Sequence, residues 1–344
     1  MTAPLRVDAR LRPASLSDTV TAVRELEAVG FSGIWTTETT DDPFLPLVLA
    51  AEHSHRVRIG TSIAVAFART PMTVAYQAAT LARYSGGRFT LGLGTQIKPH
   101  IERRFAMPWS RPAARMEEYV RALREIWRCW RTGDRLRFSG EFYSHTLMTP
   151  AFTPSLADAD PPVVLAAVGE RMIRVAGEVA DGLLVHSLNS PDYLRSVILP
   201  GYETALTGAG RSRADVEIGA GVMIATGETE EAMATAVRAL KERIAFYAST
   251  PAYRGVLEQH GLGALADELH SLSVGRDPER WTRMGELIDD DVMHTYGVAA
   301  EPDRLAEAVR TRMSGLVDRV ALTPIAATPP HLIARAAAEI TGAG

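Results

Sequence analysis

One unit recurs along this chain: an amphipathic run, then a glycine, then a short apolar run that ends in polar residues. The unit is clearest where the apolar run covers 31–38, 88–95, 181–187 or 315–324. A glycine after the last periodic residue is the expected end of a helix. Apolar runs that are continuous instead of alternating indicate strands buried on both faces, which is typical of a parallel sheet.

Four further apolar runs bring the number of candidate strands to eight. They cover residues 6–11, 56–67, 161–168 and 217–225, and helix-like stretches separate them. Eight strand–helix units favour a closed barrel over an open sheet. We therefore predict an α/β fold, a (β/α)8 TIM barrel that forms a single domain over residues 1–344.

Two segments are longer than the usual connection of about 2 to 6 residues. Residues 132–162 follow the fourth helix, and residues 245–300 follow the seventh. We expect both to be insertions, the second forming a lid or an outer wall of short helices. The clearest helix is expected over 111–131, where Met and Trp side chains recur at steps of three and four, a spacing that indicates core packing.

Charge and composition exclude several classes of protein. The chain has 37 Lys and Arg against 41 Asp and Glu, a net charge of -4, so a nucleic-acid partner is not expected. The first residues, MTAPLRVDARLRP, lack the apolar region of a signal peptide, and no apolar run approaches the roughly 18 residues that a membrane span needs, so we expect neither. The single Cys129 excludes an intramolecular disulfide. We expect a soluble protein of the cytoplasm that does not bind membranes.

Chemistry in such barrels gathers at the C-terminal ends of the strands. Glu38 follows the second apolar run and lies early enough to point into the barrel mouth. Gln96 and His100 follow the fourth run, and His186 and Ser187 end the sixth. A solvated loop is the alternative interpretation for Glu38, and a solvated helix face for the residues after His100.

The helix expected after the fifth strand begins at Gly169 and Glu170. Free backbone N–H groups and the helix dipole make such a start suitable for a phosphate. The nine His are dispersed, so no metal site is expected, and no nucleophile-elbow or phosphate-loop motif is present. These observations favour a bound organic cofactor, which carries its own chemistry.

The chain resembles the luciferase-like monooxygenase superfamily and, within it, the branch that uses the deazaflavin coenzyme F420. The resemblance covers residues 5–325, and GFSGIWTTET, YSGGRFTLGLGTQ and AGEVADGLLVH are among the segments that carry it. It implies a barrel with the coenzyme ring at the C-terminal mouth. It also implies a homodimer.

The same resemblance implies positions for the coenzyme contacts. A non-prolyl cis peptide in the third strand would lie behind the ring, at Ser62 and Ile63. The phosphate would lie on the backbone of Gly169 and Glu170. His186 and Ser187 would lie near the ring or its tail. Gln96 is a further predicted cofactor-binding position, because it belongs to the group of hydrogen-bond donors just past the fourth strand.

The resemblance also implies catalytic candidates. Sugar-phosphate dehydrogenases of this superfamily have Asp-His after strand two and Glu after strand four, where this chain has Glu38-Thr39 and Ile97. Their substrate is therefore not expected. Glu38 matches the position of the acidic residue after strand two in these enzymes. It is predicted to give or take a proton while a hydride moves to or from C5 of F420. His100 is the second candidate, and His145 is held in reserve.

Three functional hypotheses follow. The first is an F420-dependent oxidoreductase acting on a small molecule, favoured because deazaflavin moves electron pairs and reacts poorly with oxygen. The second is a monooxygenase that uses FMN, and the third is a non-catalytic flavin or deazaflavin carrier. Apolar side chains near the expected mouth suggest a hydrophobic carbonyl or enone substrate, with helix packing as the alternative explanation; they are Phe67, Phe105, Met107 and Trp109.

Overall fold

Eight parallel strands close into one barrel in a computed structural model, which describes residues 4–12, 15–154, 160–325 and 328–342. The strands of the chain are β1 Arg6–Arg10, β2 Gly33–Thr36, β3 Arg58–Thr61, β4 Ala64–Val65, β5 Phe89–Gly94, β6 Phe138–Ser139, β7 Ser144–His145, β8 Val163–Ala167, β9 Gly182–Val185, β10 Glu217–Ala225, β11 Gly297–Ala299 and β12 Arg319–Pro324. The ring runs β1–β2–β3–β5–β8–β9–β10–β12, and β12 pairs with β1 to close it. The predicted (β/α)8 TIM barrel is confirmed.

Helices surround this ring. They are α1 Thr19–Val29, α2 Leu45–His53, α3 Pro71–Tyr84, α4 Pro112–Thr132, α5 Glu170–Val179, α6 Pro191–Tyr193, α7 Leu199–Gly208, α8 Glu230–Ala248, α9 Arg254–Glu258, α10 Gly263–Ser273, α11 Arg280–Glu286, α12 Asp290–Tyr296, α13 Leu305–Met313 and α14 Pro330–Thr341. α4 begins and ends one residue after the predicted helix, and its Met and Trp stripe is buried in the core. Among the described residues, no helix has the length and apolar character that crossing a membrane requires.

The two long segments have structure of their own. In 132–162, β6 and β7 form an antiparallel hairpin, while residues 155–159 lie outside the described ranges. The carboxylate of Glu118 on α4 fixes this hairpin by accepting hydrogen bonds from the backbone N–H groups of Phe142 and Tyr143 at 2.7 and 2.6 Å. In 245–300, α8 continues to Ala248, short helices follow, and β11 pairs with β10, a strand that the sequence did not reveal.

The third apolar run, predicted as one strand over 56–67, is broken. β3 ends at Thr61, the peptide bond between Ser62 and Ile63 is cis, and β4 then pairs with β5. At Gly92 on β5, an added Cβ would lie 1.8 Å from the carbonyl oxygen of Thr61, so only glycine fits beside the break. Apolar and β-branched residues continue on both sides of Gly60 and Ser62, which is why the pattern alone predicted a continuous strand.

The N-terminal end of the barrel interior is filled by charge. Arg319 donates to both carboxylate oxygens of Asp8 at 2.5 and 2.7 Å, and these side chains are only 4% and 5% exposed. Glu217 accepts a further bond from Arg319 at 3.4 Å. Above them the Trp35 ring lies 6.0 Å from the Arg319 guanidinium. This layer closes one end of the barrel, so ligand access is from the other.

A small cavity of about 40 Å³ lies inside the barrel. Asp8 and Arg319 line one end of it, and Arg10 and Ser62 line the other. The cavity therefore extends from the charged layer toward the C-terminal mouth.

Candidate active site

Glu38 lies just past β2 and is buried, with 6% of its surface exposed. Its carboxylate accepts hydrogen bonds from Arg69 Nη1 at 2.7 and 2.8 Å and from the backbone N–H of Val65 at 2.7 Å. Arg69 also donates to Asp42 at 3.1 Å. Burial alone would lower the pKa of Arg69, but the hydrogen bonds with Glu38 and Asp42 raise it. Glu38 thus ties the end of β2 to β4.

The break after β3 is held against the end of β2. The Ser62 N–H donates to the carbonyl of Thr36 at 2.6 Å, and the Glu38 N–H donates to the carbonyl of Ile63 at 3.1 Å. The Thr37 hydroxyl donates to the Ser62 carbonyl at 2.9 Å. The Ser62–Ile63 peptide bond therefore lies at the mouth beside Glu38, in the cis geometry that the resemblance implied.

Gln96 and His100 lie in the loop after β5. Gln96 has a φ of 60°, and its side-chain oxygen accepts the Ile97 N–H at 3.1 Å. His100 begins a π-helical turn, His100–Arg104, and is exposed. Arg104 at the end of this turn donates to the carbonyl of Thr39, which joins the loops after β5 and β2. Glu38 is buried and His100 is on the surface, so the two predicted catalytic residues have different environments.

The start of α5 is open to solvent. Gly169 is the N-cap residue, with extended φ and ψ of -92° and 156°, and both it and Glu170 are exposed. A Cβ added at Gly169 would meet no atom within 4 Å. The first N–H groups of this ten-residue helix are therefore accessible, as an anion site requires.

His186 follows β9 and is part of an aromatic group. Its ring stacks on Tyr253 with centroids 4.5 Å apart and meets the edge of Tyr247 at 4.6 Å. Burial, with a contribution from Arg10, lowers the pKa of His186 to about 4, so the ring is neutral near pH 7. Because Nδ1 accepts the Leu188 N–H at 3.1 Å, the ring proton lies on Nε2.

Ser187, next to His186, is buried against β10. A Cβ added at Gly221 would lie 2.1 Å from its hydroxyl oxygen, so a glycine is required there. Ser187 therefore packs between β9 and β10 and holds the end of β9 in place.

The low pKa of His186 has a consequence for stability. The unfolded chain binds a proton with a pKa near 6.5, whereas folded His186 does so only near 4. Protonation therefore favours the unfolded state as the pH falls from 6.5 toward 4. Between pH 7 and pH 5, His186 lowers the free energy of unfolding by about 2 kcal/mol. Urea unfolding at the two pH values should show that His186→Phe loses about 2 kcal/mol less than the wild type.

His100→Phe is the matched control, because His100 is exposed. This variant should keep the pH dependence of the wild type. An unchanged pH dependence in His186→Phe would contradict the assignment of a depressed pKa to His186.

Sequence reasoning missed Arg10, Arg69, Tyr247 and Tyr253. Arg10 is the last residue of β1, and its side chain lines the cavity that also reaches Ser62. Alternate side chains of a strand face the same side, so Arg10 could have been placed inside the barrel from its position two residues after Asp8. Nothing in the local sequence around Arg69 or the two tyrosines points to the mouth, since their partners are remote in sequence.

The apolar residues expected around the mouth pack mainly into the protein. Phe67 is fully buried, meets Trp109 edge-on at 5.9 Å and lies 4.5 Å from the Arg115 guanidinium. Phe105 and Met107 are partly buried against the core. For Phe67 the helix-packing alternative is therefore correct.

The ionisable groups do not form a metal ligand set. In the described ranges, no three His, Cys, Asp or Glu side chains come together in a way that could hold a metal ion. Cys129 is buried on α4, and burial raises the pKa of its thiol. The groups at the mouth include backbone donors, the neutral imidazole of His186, the Glu38 carboxylate, and arginines such as Arg10 and Arg69.

Comparison with known proteins gives consistent results. The family model described as luciferase-like monooxygenase matches residues 1–319. An uncharacterised protein of Mycobacterium tuberculosis is 50% identical over 317 residues, which is 92% of each chain. The 5,10-methylenetetrahydromethanopterin reductase of Methanopyrus kandleri is 27% identical over 284 residues, 80% of this chain and 78% of that enzyme.

The fold is also found among solved structures. The coenzyme F420-dependent tetrahydromethanopterin reductase from Methanopyrus kandleri superposes with a TM-score of 0.78 at 22% sequence identity, covering 98% of both chains. At this identity the match shows a shared fold.

Proposed function

The chain belongs to the luciferase-like monooxygenase family, and we propose that within this family it is a coenzyme F420-dependent oxidoreductase. The reaction would move a hydride between C5 of the deazaflavin and a small organic substrate. The observation that carries the proposal is an open helix start and a cis-peptide break at the mouth of a barrel similar to that of the coenzyme F420-dependent tetrahydromethanopterin reductase.

The residues at the mouth fit this coenzyme. The N–H groups at Gly169 and Glu170 could hold its phosphate, because both residues are exposed and no described atom lies within 4 Å of a Cβ added at Gly169. The Ser62–Ile63 peptide offers a flat backbone surface for the ring next to the interior cavity. When bound, F420 supplies a carbon that accepts or gives a hydride.

The side chains at the mouth would take different roles. Glu38 already accepts hydrogen bonds from Arg69 and Val65, so we assign it to positioning the break that supports the ring. His186 is neutral and carries its proton on Nε2, so it suits donation of a hydrogen bond to a substrate oxygen. His100 is exposed and remains a proposed proton carrier at the rim.

The family name itself favours a second candidate function, a monooxygenase that uses reduced FMN and oxygen. The same barrel supports both chemistries, so fold alone does not separate them. The Methanopyrus kandleri reductase is the reason that we place F420 first.

A homodimer is part of the proposal. Leu45 and Val48 on α2 and Tyr84 on α3 are 57%, 44% and 52% exposed, and they border one groove on the outside of the barrel. Large apolar side chains gathered on one exposed surface are typical of a protein contact.

Binding separates the candidates directly. Oxidised F420 and FMN are each titrated into the purified protein, and binding is followed by fluorescence quenching. We expect F420 to bind and FMN to bind much more weakly or not at all. If FMN binds more tightly than F420, the monooxygenase becomes the favoured function. If neither coenzyme binds, both enzyme hypotheses are rejected, and so is the non-catalytic carrier of a flavin or deazaflavin.

A further inference from the structure

Arg10 occupies an unusual position inside the barrel. Side chains alternate along a strand, so Asp8 and Arg10 on β1 both point into the interior. Asp8 belongs to the charged layer at the N-terminal end, where it pairs with Arg319. Arg10 lies one step nearer the C-terminal mouth, and it lines the same cavity as Ser62.

Among the described residues, no acidic group pairs with Arg10. Over the ranges that the structure describes, its guanidinium makes no ion pair and no side-chain hydrogen bond, and Nε is buried without a partner. Burial lowers the pKa of this group, and the nearby charge of Arg12 lowers it further. A buried cation with no counter-charge is unfavourable, and proteins normally pair such groups.

Two other partly buried arginines, Arg88 and Arg312, do have partners. Arg88 donates to several backbone carbonyls, among them those of Val57 and Ala51 at 3.0 and 2.9 Å. Arg312 donates to the carbonyls of His294 and Asn189 at 3.0 and 3.1 Å. Arg10 differs from both, because no described group accepts a hydrogen bond from its guanidinium, and this is the observation that points to an anionic ligand.

The surroundings of Arg10 suit a planar ligand. Arg10 interacts electrostatically with His186 and Tyr247, so it lies beside the aromatic group that these residues form with Tyr253. All three rings are partly exposed. His186 is neutral and does not compete with Arg10 for a negative charge.

We propose that Arg10 binds the carboxylate of the substrate, whose aromatic or conjugated body lies against the His186, Tyr247 and Tyr253 rings. The planar guanidinium matches a carboxylate with two parallel hydrogen bonds, and the rings match a flat apolar body. The inference rests on the proposed function for the reaction and deepens it, because it defines the substrates as aromatic or conjugated carboxylic acids.

The test uses acids and their neutral amides as paired probes. Benzoate and 2-naphthoate are compared with benzamide and 2-naphthamide by calorimetry on the wild type and on Arg10→Met. We expect the wild type to prefer each acid, and Arg10→Met to lose about 10-fold or more in affinity for the acids while its affinity for the amides changes less than about 2-fold.

Arg12→Met is the matched control, because it removes the same charge from an exposed residue two positions further along the chain. This variant should keep the preference for acids. Circular dichroism establishes that each variant is folded. If Arg10→Met does not fold, Arg10→Lys replaces it, which keeps the charge but removes the two-pronged geometry and should still weaken acid binding.

Three outcomes would overturn the inference. In the first, the wild type does not prefer the acids or binds none of the probes. In the second, the Arg10 and Arg12 variants lose the same affinity for the acids. In the third, the Arg10 variant loses affinity for F420 but keeps its preference for acids. The last would mean that Arg10 holds the coenzyme. A wild type that binds the acids through Arg10 but does not bind F420 would reject the proposed function and leave this inference standing.

Discussion

Replacing Gly169 with aspartate is expected to weaken F420 binding about 100-fold while the fold keeps its stability. The new carboxylate would occupy the N–H groups at the start of α5 and repel the coenzyme phosphate. The coenzyme would lose charge-assisted hydrogen bonds and would be repelled by the new charge. Each effect is expected to lower the affinity about 10-fold. Titration of F420 by fluorescence quenching measures the effect.

The fold should tolerate this change for three reasons. Gly169 has extended backbone angles that any residue adopts, its side-chain position is open, and aspartate is a favourable N-cap residue. Gly169→Ser is the matched control, because serine also caps the helix but adds no charge. A serine variant that binds F420 as weakly as the aspartate variant, or an aspartate variant that binds normally, would show that the phosphate lies elsewhere.

Replacing Asp8 with asparagine is expected to destabilise the protein by about 3 kcal/mol. The substitution preserves shape and one acceptor oxygen, but it removes the negative charge and turns a donor NH2 group toward the buried Arg319 guanidinium. The remaining carboxylate partner of Arg319 is Glu217 at 3.4 Å. Removal of one member of a buried ion pair typically costs about 3 to 5 kcal/mol. Chemical unfolding at neutral pH measures the change.

Asp192→Asn is the matched control for this prediction. Asp192 also pairs with an arginine, Arg195, but its side chain is 75% exposed. Exposed pairs of this kind contribute little, so the unfolding midpoint should not change measurably. Equal stability of the Asp8 variant and the wild type would mean that Glu217 and Trp35 are sufficient partners for Arg319.

The fold was predictable because its signals are local. Continuous apolar runs between helix-like stretches are visible within ten to twenty residues, and they correctly placed eight parallel strands and α4. The break between β3 and β4 was not visible in these runs. It depends on Thr36 and Thr37 from a different strand and on the close approach of Gly92 to Thr61.

The candidate site was predictable only in part. The residues that end the strands, such as Glu38 and His186, were found because every strand of a parallel barrel points its C-terminal end to the same mouth. The sequence did not predict the hydrogen bonding of Glu38 or the protonation state of His186. Glu38 is held by Arg69, and His186 is neutral because Tyr247 and Tyr253, from the long segment after β10, cover it.

The sequence by itself determined the barrel, the order of its units and the strand ends that carry polar side chains, because periodicity and helix stops are short-range properties. Only the tertiary structure decided which charges are paired. Closure of the ring brings Arg319 of β12 onto Asp8 of β1, and it places Arg10 near His186 with no ion-pair partner in the part of the chain that the structure describes. Electrostatic energy depends on distance and burial in space, and neither can be read from positions along the chain.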